Sequence, residues 1–206
     1  MKHYQPFRIN STPYRSPSWH VGQIVLSFFA AIILAFGLNI FVFQSYYVDG
    51  ESMAPTLHTN DRLIISKVER SAARAEGKAY IPSRGQIVVI DGHVSPQTEE
   101  RAPHLIKRVV GIPGDRVVIS GDGTVMIFNS EYPNGFNANE EFNLKLDPTF
   151  GQGIDVTVPE GFVYVLGDNR TQGGSYDSRS FGMVDSNFIQ GRLLLRILPS
   201  DSTRVF

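Results

Sequence analysis

Leu105-Ile-Lys-Arg-Val-Val-Gly-Ile-Pro-Gly-Asp-Arg-Val-Val-Ile119 decides the fold class. Residues 105–110 and 116–119 are short runs rich in β-branched side chains. Between them, Gly111-Ile-Pro-Gly-Asp115 sets Pro beside Gly, which is the chemistry of a type II turn between two strands. Side chains of a strand alternate faces, so Leu105, Lys107 and Val109 share one face and Ile106, Arg108 and Val110 the other. Whichever face is inward carries a basic residue among apolar neighbours. Burial disfavours an ammonium and lowers its pKa, which makes a lysine a workable general base near neutral pH. The competing reading is that both basic side chains snorkel to a solvated edge.

The same kind of run recurs on both sides. Residues 62–68, 86–90, 124–128, 161–166 and 192–197 are β-branched or aromatic, each bounded by Gly, Pro, Asp or Asn. Gly121-Asp-Gly123 reads as a hairpin turn. Residues 69–78 suggest one short exposed helix. Residues 129–153, rich in Asn and Gly, read as part of a loop-rich β insertion at about 120–160. The expected class is mainly β.

The chain opens differently. Residues 21–43, VGQIVLSFFAAIILAFGLNIFVF, carry no charge. As a helix, roughly 23 residues at about 1.5 Å each cross a hydrocarbon core of about 30 Å. The run is too long for the apolar core of a cleaved secretory signal and is followed by no small-x-small site. A single retained transmembrane anchor over residues 21–45 is therefore expected. Lys2, Arg8 and Arg15 precede it, and Asp49 is the first acidic residue. The positive-inside rule leaves the basic tail, residues 1–20, in the cytoplasm and puts residues 46–206 on the far side.

Composition excludes several chemistries. With 19 basic and 20 acidic side chains the net charge is -1, which offers no electrostatic footprint for nucleic acid. The absence of cysteine excludes disulfides, thiolate zinc sites and a cysteine nucleophile. His3, His20, His58, His93 and His104 show no metal-ligand spacing, and no cofactor is expected.

Two further segments carry polar chemistry. In Gly50-Glu-Ser-Met-Ala-Pro-Thr-Leu57, a serine sits where Gly and Pro forbid regular structure, and such a turn can expose a hydroxyl beside free backbone N–H groups. Serine needs a base to act as a nucleophile. Residues 167–182, GDNRTQGGSYDSRSFG, form a glycine-rich polar loop at a strand end. Asp168, Asp177, Arg170 and Arg179 can form ion pairs there, and Ser175 or Ser178 can hydrogen-bond an amine.

Taken in order, the anchor, Gly-x-Ser-Met-x-Pro-Thr-Leu, Asp-Arg-Leu-Ile, Ile-Lys-Arg-Val-Val-Gly-Ile-Pro-Gly-Asp and Gly-Asp-Asn-Arg…Ser-x-Asp-Ser-Arg resemble the type I signal peptidases as far as Val184. The resemblance implies a single-pass serine endopeptidase of the cell membrane that removes signal peptides after small-x-small. Ser52 is then the nucleophile, its N–H part of the oxyanion hole, and Lys107 the general base. Ser175 orients the lysine; Asp168 with Arg108, and Asp177 with Arg179, brace the site. Tyr46, Val48, Met53, Leu57, Leu105 and Ile106 line two shallow pockets for the substrate. Exported preproteins and the lipid bilayer are the implied partners, with the export machinery a further candidate.

Two departures stand out. Some members carry a hydroxyl two residues before the nucleophile as an oxyanion donor, and here that position is Gly50. The segment Thr171-Gln-Gly-Gly174 is longer than the pattern by about two residues. The rival readings are a self-cleaving transcriptional repressor, which the anchor argues against, and a non-catalytic membrane-tethered β binding module. The second leaves Ser52, Lys107 and the 167–182 loop without a purpose.

Overall fold

The structure is a computed structural model, and it describes residues 17–94, 104–151, 153–199 and 203–206. Contacts divide the chain into two units, residues 1–38 and 39–206. Helix α1 (Pro17–Phe41) begins with proline in the first helical position, where its missing N–H costs nothing. Ile24, Leu26, Phe28, Ile33 and Phe36 are all well exposed, and no side of the helix is covered by protein over residues 20–36. Such a helix is long and apolar enough to cross a bilayer. Of the expected polar tail, residues 1–16 lie outside the described residues, and residues 17–20 are already helical.

The second unit is built from two antiparallel sheets. The larger has the strand order β1 (Phe43–Tyr47), β2 (Arg62–Ser66), β11 (Ile189–Leu198), β3 (Ile87–Asp91), β4 (His104–Gly111), β9 (Phe162–Leu166) and β10 (Val184–Asp185), with β12 (Arg204–Val205) also pairing β11. The smaller has the order β7 (Phe136–Asn137), β6 (Val125–Phe128), β5 (Arg116–Ile119) and β8 (Ile154–Thr157). The expected class, one apolar N-terminal helix followed by a mainly β unit, is the observed one. The end of the apolar run is a strand: Phe43 pairs Ser66 across β1 and β2, and this pairing overrides local helical character. Helix α2 (Val68–Ala75) takes Val68 from the end of an expected strand.

The turn between β4 and β5 carries the chain from one sheet to the other. Asp115 N–H donates to the Ile112 carbonyl at 3.0 Å, and Gly114 has φ +86°, the conformation that a type II turn demands at that place. Three buried clusters fill the unit. The first joins Val110, Tyr164 and Leu166 to Val117 and Ile127 of the small sheet. The second packs Val88, Ile90, Val109, Val165 and Ile189. The third packs Val48, Met53 and Leu57 against Leu63, Ile87 and Leu193. Covered on both faces, β4 is buried from Lys107 to Gly111, so inward and outward lose their meaning there.

The stretch expected to be loop-rich holds β7 and a short helix α3 (Ala138–Glu141), capped by the Asn137 side chain. Strand β8 falls inside the expected β insertion, with Ile154-Asp-Val-Thr157 alternating half-buried and exposed positions.

Gly191 lies where β11 shifts register between its neighbours, and a Cβ there would overlap the Ser66 carbonyl oxygen. Gly191→Ala is expected to cost about 1–3 kcal/mol, as overpacking against rigid backbone does. The urea midpoint of the isolated protein measures it.

Candidate active site

Ser52 stands in a series of tight turns, held by hydrogen bonds from Ala54 N–H to the Glu51 carbonyl (3.1 Å) and from Thr56 and Leu57 N–H to the Met53 carbonyl (2.8 and 3.0 Å). Met53 and Leu57 drive into the third core cluster and fix the segment from below. Gly50 turns the chain at φ +105°, a backbone conformation that residues with a Cβ rarely adopt. Its N–H donates to Thr59 Oγ1 at 3.1 Å.

Lys107 reaches this segment from the middle of β4. Its Nζ lies 2.9 Å from Ser52 Oγ and donates to the Ile106 carbonyl at 2.8 Å. The residue is 2 % exposed, opposite buried Val88 on β3. Burial pushes the amine down to about 8. Attraction to Asp177 and Asp168 opposes that shift, and Arg179 adds to it. An amine so placed can take a proton from the hydroxyl beside it.

Two buried fork-to-carboxylate pairs surround the lysine. Arg108 Nε and Nη2 donate to Asp168 Oδ1 and Oδ2 at 2.8 and 2.5 Å, while Nη1 donates to the Gly85 carbonyl at 2.6 Å. Arg179 Nε and Nη2 donate to Asp177 Oδ1 and Oδ2 at 2.8 and 2.7 Å. Asp177 also accepts the Gly167 N–H at 2.9 Å and caps α4 (Ser178–Phe181). Each carboxylate is thus satisfied from two directions, as burial requires. Thr56 Oγ1 donates to Asp168 Oδ2 at 2.5 Å, which ties the serine segment to the same network.

The structure therefore brings together Ser52, Lys107, Arg108, Asp168, Asp177 and Arg179. It does not bond Ser175 to the lysine. Ser175 Oγ is buried with no hydrogen-bond partner among the described residues, while the lysine amine donates to the Ile106 carbonyl. Gly167 lies against it: a Cβ there would overlap both Ser175 Oγ and the Ser52 carbonyl oxygen. Tyr46, Val48, Met53, Leu105 and Ile106 line a cleft of about 430 Å³ together with Ser52 and Lys107. Leu57 does not line it; it is wholly buried in the core, because the Met53–Leu57 turn points it at Leu63 and Leu193.

Sequence reasoning assigns no role to His104, Thr56 or Asn169. His104 also lines the cleft, edge to face with Tyr46 at 5.1 Å; with Leu105, Ile106 and Lys107 it makes four consecutive cleft residues, which alternation does not foretell. Thr56 and Asn169 link the serine segment to the 167–170 loop, and no local pattern signals a contact over more than 100 residues. Arg170, buried and pushed down to about 10 by desolvation, secures that loop by donating to the Gly167 carbonyl and Thr149 Oγ1, both at 2.8 Å.

Residues 21–198 match the family described as "Signal peptidase, peptidase S26". A "Probable signal peptidase I-2" of Synechocystis is 37% identical over 169 residues, covering 82% of this chain and 69% of the relative. A signal peptidase I of Bacillus licheniformis is 33% identical over 186 residues, covering 84% and 87%. That of Leptolyngbya laminosa is 35% identical over 173 residues, covering 82% and 75%.

Burying Lys107 has a thermodynamic sign. A lysine whose folded pKa is depressed penalises folding fully below the folded value, here about 8. The penalty fades as pH rises to the unfolded value near 10.4. Relative to the parent, Lys107→Met is expected to be about 3 kcal/mol more stable at pH 7 than it is above pH 10.5, where the amine is neutral in both states. Paired denaturant titrations at the two pH values test it.

Proposed function

The chain belongs to the signal peptidase family, peptidase S26, and from that premise we infer that Ser52 and Lys107 are the dyad through which it works. It is a serine endopeptidase that removes N-terminal signal peptides from exported preproteins. The observation that carries the dyad is the 2.9 Å approach of a buried Lys107 amine to the Ser52 hydroxyl.

In this reading the preprotein lies in the cleft of Tyr46, Val48, Met53, Leu105 and Ile106, with the small side chains at −1 and −3 seated on its apolar walls. Ser52 Oγ attacks the carbonyl carbon after the −1 residue while its proton passes to neutral Lys107 Nζ. The carbonyl π electrons move to oxygen, and the oxyanion meets the Ser52 N–H. Collapse breaks the C–N bond, and the ammonium returns its proton to the departing amine of the mature protein. Water then attacks the acyl-enzyme and gives a proton to Nζ. The signal peptide leaves with a carboxyl group, and Ser52 recovers its proton. Asp168 with Arg108 and Asp177 with Arg179 hold the amine against the hydroxyl.

Ser52→Ala should abolish cleavage of a reporter preprotein. Lys107→Arg should fold yet be inactive, because a guanidinium stays protonated at any working pH. For the parent, the base must be neutral, so kcat/KM should fall about tenfold per unit of pH below an apparent pKa near 8 and level off above it. Near-parental cleavage by Lys107→Arg, or a profile flat through pH 6–9, would remove Lys107 from the role.

The same reading makes α1 a single-pass anchor in the cell membrane, with residues 1–20 cytoplasmic and residues 46–206 outside as the catalytic domain. The basic flank and the uncharged helix support it. Protease added to intact spheroplasts should digest residues beyond 46 and spare a tag at the N-terminus; loss of the tag alone reverses the topology.

A further inference from the structure

We propose that Asn169 is a positioning residue that aims the Ser52 N–H at the developing oxyanion, and that the lengthened 171–174 turn serves to aim Asn169. The proposal rests on Ser52 being the nucleophile.

The Glu51–Ser52 and Ser52–Met53 peptide bonds are trans. In a planar trans peptide the carbonyl and the N–H point in opposite directions, so fixing one fixes the other. Asn169 grips both units: its Nδ2 donates to the Glu51 carbonyl at 3.1 Å, and its backbone N–H donates to the Ser52 carbonyl at 3.1 Å. With the Glu51 carbonyl turned toward Asn169, the Ser52 N–H is turned away from it. Among the described residues that N–H donates to no protein acceptor, and Ser52 lines the cleft. One donor of the hole is thereby held ready without help from position 50, where glycine has no hydroxyl to offer.

The side-chain amide of Asn169 has a definite orientation. Thr171 Oγ1 donates to Asn169 Oδ1 at 2.7 Å, so the NH₂ end is the one presented to Glu51. Gly174 N–H closes the turn on the Thr171 carbonyl at 3.1 Å. The turn passes so near the amide that a Cβ on Gly174 would overlap Asn169 Oδ1. The extension that departs from the family pattern is a cradle for this amide.

The test uses the purified full-length enzyme with a reporter preprotein and two inhibitors, an Ala-x-Ala peptide aldehyde and the matching alcohol. The aldehyde adds to Ser52 as a hemiacetal: the Oγ–C bond forms, the C=O π bond breaks, and the serine proton passes by way of Lys107 Nζ to the former carbonyl oxygen. The alcohol binds without reacting. Asn169→Ala is expected to lower kcat about 10–100-fold with KM within about twofold, since a misaimed oxyanion donor acts on the transition state. Aldehyde affinity should fall in proportion, and alcohol affinity should hold. Thr171→Val should lower kcat about three- to tenfold, and Thr171→Ser should restore it. Unchanged kcat in folded Asn169→Ala, or equal losses of aldehyde and alcohol affinity, would overturn the proposal. If Asn169→Ala does not fold, the Thr171→Val and Thr171→Ser pair decides by the same criteria. A Ser52→Ala protein that still cleaves or still binds the aldehyde tightly would instead sink the dyad itself.

Discussion

The burial of one ammonium group constrains everything around it. Lys107 occupies the centre of a strand covered on both faces, where an unassisted charge is strongly penalised. The site resolves this with opposing influences: desolvation, the larger, pushes the amine toward neutrality, and the carboxylates of Asp177 and Asp168 oppose it. Those carboxylates are themselves buried, so each needs its own guanidinium, and Arg108 and Arg179 follow. One basic side chain in the wrong dielectric thus dictates four more charged residues. The polar cluster is a requirement of the apolar one.

The consequence for function is rigidity. A side chain carried on turns has no ladder of hydrogen bonds to hold it, yet Ser52 is fixed from three sides. Met53 and Leu57 sink into the core, Thr56 binds the Asp168–Arg108 pair, and Asn169 holds the two carbonyls flanking the serine. The same pair that tempers the lysine therefore restrains the serine. In the proposed dyad, the separation of hydroxyl and amine is set by a shared support rather than by two independent loops.

What the sequence revealed, and what it hid, divides by range. The strands, the turn at Gly111–Asp115 and the apolar helix follow from periodicity and from Pro and Gly chemistry, which act over a few residues. Alternation along β4 separated Lys107 from Arg108 but could not rank them, because it assumes one dry face and this strand has two. Five of the six expected cleft residues line the cleft; Leu57 does not, since a turn rather than a strand sets its direction. The end of the apolar run became β1 through pairing with a strand about 20 residues on. Ser175, expected to orient the lysine, keeps a buried hydroxyl beside Gly167 with no hydrogen-bond partner among the described residues. Local rules failed where the deciding contact was distant.

Gly167 has an evolutionary meaning as well as a steric one. The space above its Cα is already taken by a side-chain oxygen from residue 175 and a main-chain oxygen from residue 52. Volume at these places is a shared quantity, so one of them cannot grow while the others stay still. Drift across this region must proceed by linked changes, or by none. The loop's outer rim is open to adaptation, while its inner edge is held to the size of a hydroxymethyl group.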